Sequence, residues 1–496
     1  MKSKPLLTRI LTVLATLCGL YLLLLIPETP NPVDAPENSA ARHGAFAWNQ
    51  DAYWQSLEVA FREVRQSDCK GAEQQVGSRL REARALLQLL TAEDLEPEAP
   101  EFAEIERVLF ETAPAVAGCG VVLSEYVRFV SDMRAAVKRQ SEQWDMGSDA
   151  SKRTLYRLLY GARGALEEIM IQAPAGSVPP LITGADEPSQ TPSVEARGVR
   201  IHSGDILVSR GGAPTSALIA RGSDYPGNFS HVALVYVDPS SHEARIIESH
   251  IERGVAVSTA REYLEDKKLR VMVLRLRSDL QQARDDPMLP HKAAEYAHKT
   301  ASAGHIPYDF EMDYRDHRKI FCSEVASAAY ERFGLRLWAG ISRISSPGLR
   351  RWLSGFGVRH FETQEPSDLE YDPQLRVVAE WRDPGTLRKA RLDNAATEVM
   401  LEGAEQGEDI AFQWYLLPVA RLIKAYSVAL NLLGRVGPVP EGMTATTALR
   451  TMGYESAHEA IVRRLAEKAE HFRQERSYEP PYWELVRLAR EVKRGN

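Results

Sequence analysis

The chain has 496 residues, 44% hydrophobic and 26% charged, with a formal net charge of −7. That length supports two or three domains with a substantial buried core, and the composition is that of globular protein. Lys and Arg are scattered rather than gathered in a stripe, and there is no Walker loop, GxGxxG run or internal repeat, which argues against nucleic acid as a partner.

The first element in chain order is an uncharged apolar run, ILTVLATLCGLYLLLLI, from Ile10 to Ile26. With Leu6 and Leu7 it approaches the ~20 residues that cross a bilayer. Lys2, Lys4 and Arg9 precede it, so the basic flank is expected to stay cytoplasmic. Residues 1–30 therefore read as a single-pass signal anchor in the inner membrane, with the bulk of the chain periplasmic. A cleaved signal peptide is the alternative, but the run exceeds the usual h-region and no A-x-A site follows it directly. Cys18 does not make a lipobox, because Leu17 is bulky and LYLLLLI continues the apolar run.

A Pro-rich spacer, PETPNPVDAPENSAARHG, follows. Residues 48–172 carry long amphipathic windows such as WQSLEVAFREV and SRLREARALLQLL, and read as a helical domain. It contains Cys69 and Cys119. In an oxidising compartment the two either pair, closing a loop worth up to about 4 kcal/mol in the chain-entropy model, or remain separate buried thiols. Residues 173–198, rich in Pro, Gly, Ser and acids, read as a linker.

From 199 to 385 the pattern changes to short β-branched runs, GDILVSR, HVALVYV, ARIIES, GVAVS and LRVMVLRLR, then a helix near 288–303 and another at Cys322. This is α+β. Residues 386–496 return to helical spacing. Arg421 and Lys424 interrupt the apolar stretch there, which favours an amphipathic packing or interfacial helix over a second span.

The chemistry-bearing residues lie in the middle domain. Cys322, Val325, Ala326, Ala329 and Phe333 share one helical face, and Gly334 supplies a stop. A thiol at such a helix start faces the positive end of the dipole, which favours thiolate, although a buried Cys is more often a small hydrophobe. A turn over Asp238–Ser241 would pair His231 directly with Glu248 on adjacent strands, Cβ atoms about 5 Å apart. A cysteine nucleophile needs such a base and an orienting acceptor. Glu324 and His250 compete for these roles. His291, His298 and His305 recur every seven residues, which on a helix separates neighbours by ~10.5 Å, too far to share one ion. No metal and no cofactor are expected.

The motifs GDILV, NFSHVALVYV, IIESHIERGVAV, GHIPYDFEMD and FCSEVASAAY, in that order, resemble the permuted papain-like amidases of the YaeF/YiiX group. These are relatives of NlpC-type peptidases and of lecithin:retinol acyltransferase. PSDLEYDPQLRVVAEWRDP looks like the tail of larger members, so the resemblance covers roughly residues 199–385. It implies a circularly permuted papain-like (NlpC-type) domain; the helical regions that flank it and the transmembrane anchor that precedes it lie outside the resemblance. It further implies Cys322 as nucleophile, His231 as base and Glu248 as the residue that orients it, with His and acid preceding Cys in reverse of papain. The expected activity is a cysteine hydrolase acting through an acyl-enzyme on amide, ester or thioester bonds of envelope components, peptidoglycan stems or lipid and lipoprotein acyl groups. A peptidoglycan endopeptidase is the nearest alternative, and an inactive membrane-tethered scaffold the alternative of a different class.

Overall fold

The computed structural model describes residues 4–28 and 52–495 apart from 68, 175 and 185, with side chains from residue 11 onward. The first element is a 21-residue helix, Lys4–Leu24. The expected transmembrane span is not found: among the described residues no helix is long and apolar enough to cross a membrane. Residues 29–44 of the expected Pro-rich spacer, and the first residues of the helical region, lie outside the described residues.

Residues 52–172 form helices, chief among them Ala72–Ala92, Pro100–Cys119, Leu123–Gln140 and Gly161–Gln172. Their apolar stripes meet in one core that includes Leu80, Leu109, Phe129, Met133 and Leu166. Cys119 closes its helix just before Gly120, whose φ of +66° ends the α-helical run, and is disulfide-bonded to Cys69, 50 residues earlier.

The strands are β1 (Leu181–Thr183), β2 (Ser193–Ala196), β3 (Val199–His202), β4 (Ile206–Gly211), β5 (His231–Val237), β6 (Ala244–His250), β7 (Gly254–Thr259), β8 (Lys268–Leu276), β9 (Ser342–Arg343), β10 (Glu362–Thr363) and β11 (Leu375–Trp381). Seven form one antiparallel sheet in the order β1-β11-β8-β4-β5-β6-β7. The segment 173–198, expected as a linker, carries β1 and β2. Its Leu181 and Ile182 pair with Trp381 and Glu380 of β11, and β2 pairs with β3. Pro- and Gly-rich composition hid these strands, because a short edge strand needs only a few backbone pairings.

Both faces of the sheet are buried, which explains the near-continuous apolar runs. Ile206, Val208, Val232 and Leu234 pack against helices Leu289–Ala303 and Glu324–Glu331. Leu207, Ala233, Val235 and Ile246 face Val199 and Ile201 of β3 and Tyr263. A third core joins helices Pro384–Glu405, Ala445–Arg476 and Tyr482–Arg494.

Buried charge ties the helical region to the sheet. Arg163, 1% exposed, donates to Glu370 at 3.1 Å and to Glu380 on β11 at 2.6 Å. Glu167, one turn on, accepts from Arg270 of β8 at 2.6 Å and Arg382 at 3.1 Å. Each charge has a partner, the condition under which such groups survive away from water.

Candidate active site

His231 stands at the first position of β5 and Glu248 within β6. Their register differs from the expected one: Ala233, not His231, lies opposite Glu248. The connection spans residues 238–243 rather than a tight four-residue turn. Asp238 accepts from the N–H groups of Ser240 and Ser241, both at 2.8 Å, and His242 takes a φ of +55°. A slip of two residues preserves the face, so His231 becomes the diagonal neighbour of Glu248, within reach of a long side chain. The imidazole Nε2 lies 2.9 Å from Glu248 Oε2.

Cys322 is buried and free, two residues before helix Glu324–Glu331 rather than within it. Several bonds hold its segment. Ser249 of β6 donates through Oγ to the Ile320 carbonyl at 2.6 Å, and Ile320 N–H donates to the Pro307 carbonyl at 3.0 Å. Gly254, with a φ of +70°, lets β7 approach residue 306: an added Cβ would stand 2.1 Å from the Ile306 carbonyl oxygen. Val255 N–H then donates to that same oxygen at 2.9 Å. These contacts bring the GHIPYD segment alongside the cysteine.

The three expected site residues come together. Burial lowers the basicity of His231, but hydrogen bonds with the Cys322 thiol and with Glu248 outweigh it and push the imidazole up to about 9. Burial raises Glu248, yet its hydrogen bond with His231 leads the effects that hold the carboxyl well below its usual range. Ser258 Oγ also donates to Glu248, at 3.2 Å. The Cys322 N–H donates to no acceptor among the described residues and is available to an incoming oxygen.

The two competitors lie beside the site. Glu324 turns inward. It is fully buried, accepts from the Phe321 N–H at 3.0 Å and lies 3.1 Å from His317 Nδ1. Burial pushes its carboxyl up to about 7. It braces the backbone that presents Cys322. His250 Nε2 lies 3.2 Å from Glu248 Oε1 and 2.9 Å from Arg253 Nη2. A guanidinium only donates, so that nitrogen accepts from Arg253 or donates to Glu248, not both. The signal for Glu324 was its place two residues after Cys322, where a carboxylate can fold back onto a free helix-start N–H.

The three histidines spaced by seven have other partners. Tyr236 stacks on His298 and His291, His291 meets Ser203 Oγ at 2.9 Å, and His305 meets Glu441. Among the described residues no group of three His, Cys, Asp or Glu side chains is arranged to hold a metal ion.

Residues 200–379 match the family described as permuted papain-like amidase enzymes, YaeF/YiiX, C92 family. The crystal structure of metalloprotein yiiX from Escherichia coli O157:H7 is similar over 36% of this chain and 97% of its own, at 18% identity and a TM-score of 0.28. No curated protein matches. Residues 200–379 are thus similar to the permuted papain-like amidases, and a hydrolase of the papain-like type is what that matched family implies.

Proposed function

We propose that this domain is a cysteine hydrolase cleaving amide, ester or thioester bonds of cell-envelope components. The observation that carries the reading is His231, hydrogen-bonded to Glu248 at 2.9 Å, beside the free Cys322 thiol that helps raise its basicity. The thiol proton passes to His231, and the sulfur attacks the substrate carbonyl carbon. The resulting oxyanion is stabilised in part by the Cys322 N–H. Collapse expels the amine, alcohol or thiol, which takes its proton from His231. Water, deprotonated in turn by His231, attacks the thioester and releases the acid and the free thiol. Glu248 keeps the ring oriented and its positive form stabilised.

We place the enzyme at a membrane, with the catalytic domain periplasmic and the N-terminal helix at the lipid surface. Two features support this. Leu11, Leu14, Leu17, Leu22 and Leu23 of that helix are all more than half exposed. Beside it, helix Leu417–Leu432 leaves Val419, Leu422, Tyr426 and Leu432 in the open, and Arg421 donates to the carbonyls of Leu24 and Ile26 at the end of the first helix. Such unpartnered apolar surface is expected where lipid covers it. The disulfide fits an oxidising compartment.

The test is a panel of amide, thioester and lipid-ester acyl donors offered to the full chain in detergent, followed by intact-mass measurement. An acyl adduct confined to Cys322 and absent in Cys322→Ala is expected. Turnover that persists in Cys322→Ala would discard the reading.

A further inference from the structure

We propose that a basic cavity between helix Leu123–Gln140 and β11, far along the sheet from Cys322, binds a tetrahedral oxyanion of the phosphate or sulfate class. Ser131, Arg134, Lys138, Arg139, Arg277 and Arg376 line it, around an empty volume of ≈ 360 Å³ that includes its open mouth.

Two of these cations are already compensated. Arg277 donates to Asp279 at 2.9 and 2.8 Å and to Glu142 at 2.8 Å, while Arg376 lies 2.7 Å from Glu187. The others are not. Lys138 is 3% exposed and its Nζ has no hydrogen-bond partner among the described residues. Arg134, 9% exposed and one turn earlier, forms no ion pair with a described carboxylate, and Arg139 stands exposed at the mouth. The carboxylates that face Lys138 are engaged elsewhere: Glu370 by Arg163, and Asp372 by the N–H groups of Ala339 and Gln374 at 3.1 and 2.9 Å. A buried ammonium without a partner is costly, and an oxyanion supplies both the charge and the acceptors it lacks. Burial accordingly pushes Lys138 down to about 7, against the pull of Asp372 and Glu370 and with Arg134 and Arg277 adding to the fall. An anion in the cavity would reverse that shift, so occupancy should draw a proton onto Lys138.

The test is calorimetric titration of the full chain with sodium sulfate, at ionic strength held constant with chloride. Sulfate does not titrate near neutrality, so any proton taken up belongs to the protein. Expected are one saturable site, proton uptake near about pH 8 that vanishes near about pH 6, and binding weakened at least about tenfold in Lys138→Met, the worth of one charge-assisted hydrogen bond. The methionine retains the volume and removes only the unpaired charge, so folding should survive. Arg134→Gln serves as a second variant with the same expected loss, and the proton uptake needs no variant. Absence of saturable binding, uptake equal at the two pH values, or unchanged affinity in both variants would overturn the site. Phosphatidylglycerol vesicles distinguish the source: displacement of sulfate by the vesicles assigns the cavity to a lipid headgroup, and retention assigns it to a free anion.

Discussion

His231 and Glu248 divide the work of one residue-scale device. The imidazole takes the thiol proton and holds it because the sulfur left behind on one side and a carboxylate on the other favour the charged ring. Its folded-state value, about 9, lies above the ordinary 6.5. Whatever stability it contributes is therefore fully present below about 6.5 and lost as pH rises through about 9. Activity that requires the protonated ring should follow the same limb. Glu248→Gln retains an acceptor for the ring but removes the negative charge, so the alkaline limb of kcat/KM should move to lower pH and the maximal rate should fall without vanishing. His231→Ala should abolish turnover. A pH profile of the three proteins checks this, and an unmoved limb in Glu248→Gln would remove that residue from the triad.

At the scale of elements, the disulfide joins the end of one helix to the turn before another. Cys119 closes Pro100–Cys119, and Cys69 precedes Ala72–Ala92. In the unfolded chain this link closes a 50-residue loop. Cys69→Ser with Cys119→Ser should lower unfolding free energy by up to about 4 kcal/mol, while a reductant should leave the double variant unchanged. Urea denaturation with and without reductant measures both. Labelling of Cys322 by iodoacetamide should be unaffected, because the Cys322 segment is held by β6 and residue 307 rather than by the helical region.

The whole molecule is held together by charge that only the assembled chain can neutralise. Arg163 comes from a helix, Glu370 from the segment before β11 and Glu380 from β11 itself, more than 200 residues later in sequence. Arg163→Ala would strand Glu370 away from water and leave Glu380 only Arg382 at 3.6 Å, and should cost about 3–5 kcal/mol. Arg163→Met combined with Glu370→Gln and Glu380→Gln should recover much of that loss, since the stranded charge is gone. Thermal melts on the full chain read the difference. Equal stability of Arg163→Ala and the parent would mean that water reaches the network.

The strand runs, the helix before Ala303 and the Cys322 segment were legible because periodicity is local: DILVS and HVALVYV declare buried strands through composition alone. Residues His231, Glu248 and Cys322 could be named from motif order. Their meeting was decided elsewhere. The Asp238 turn lengthened a hairpin by two residues, and only the side-chain period of two kept His231 and Glu248 on one face. Glu324 folded inward because a buried N–H needed an acceptor, a demand invisible until the helix was packed. Residues 181–183 became a strand because β11 offered an open edge, and 193–196 became one by pairing with β3. The sequence by itself determined most of the helices and strands, β1 and β2 excepted, and singled out the side chains proposed to carry chemistry. The tertiary structure alone decided pairing, from the Cys69–Cys119 bond to the Arg163 network, because partners distant in sequence are chosen by the closure of the whole chain and by the cost of burying charge unpaired.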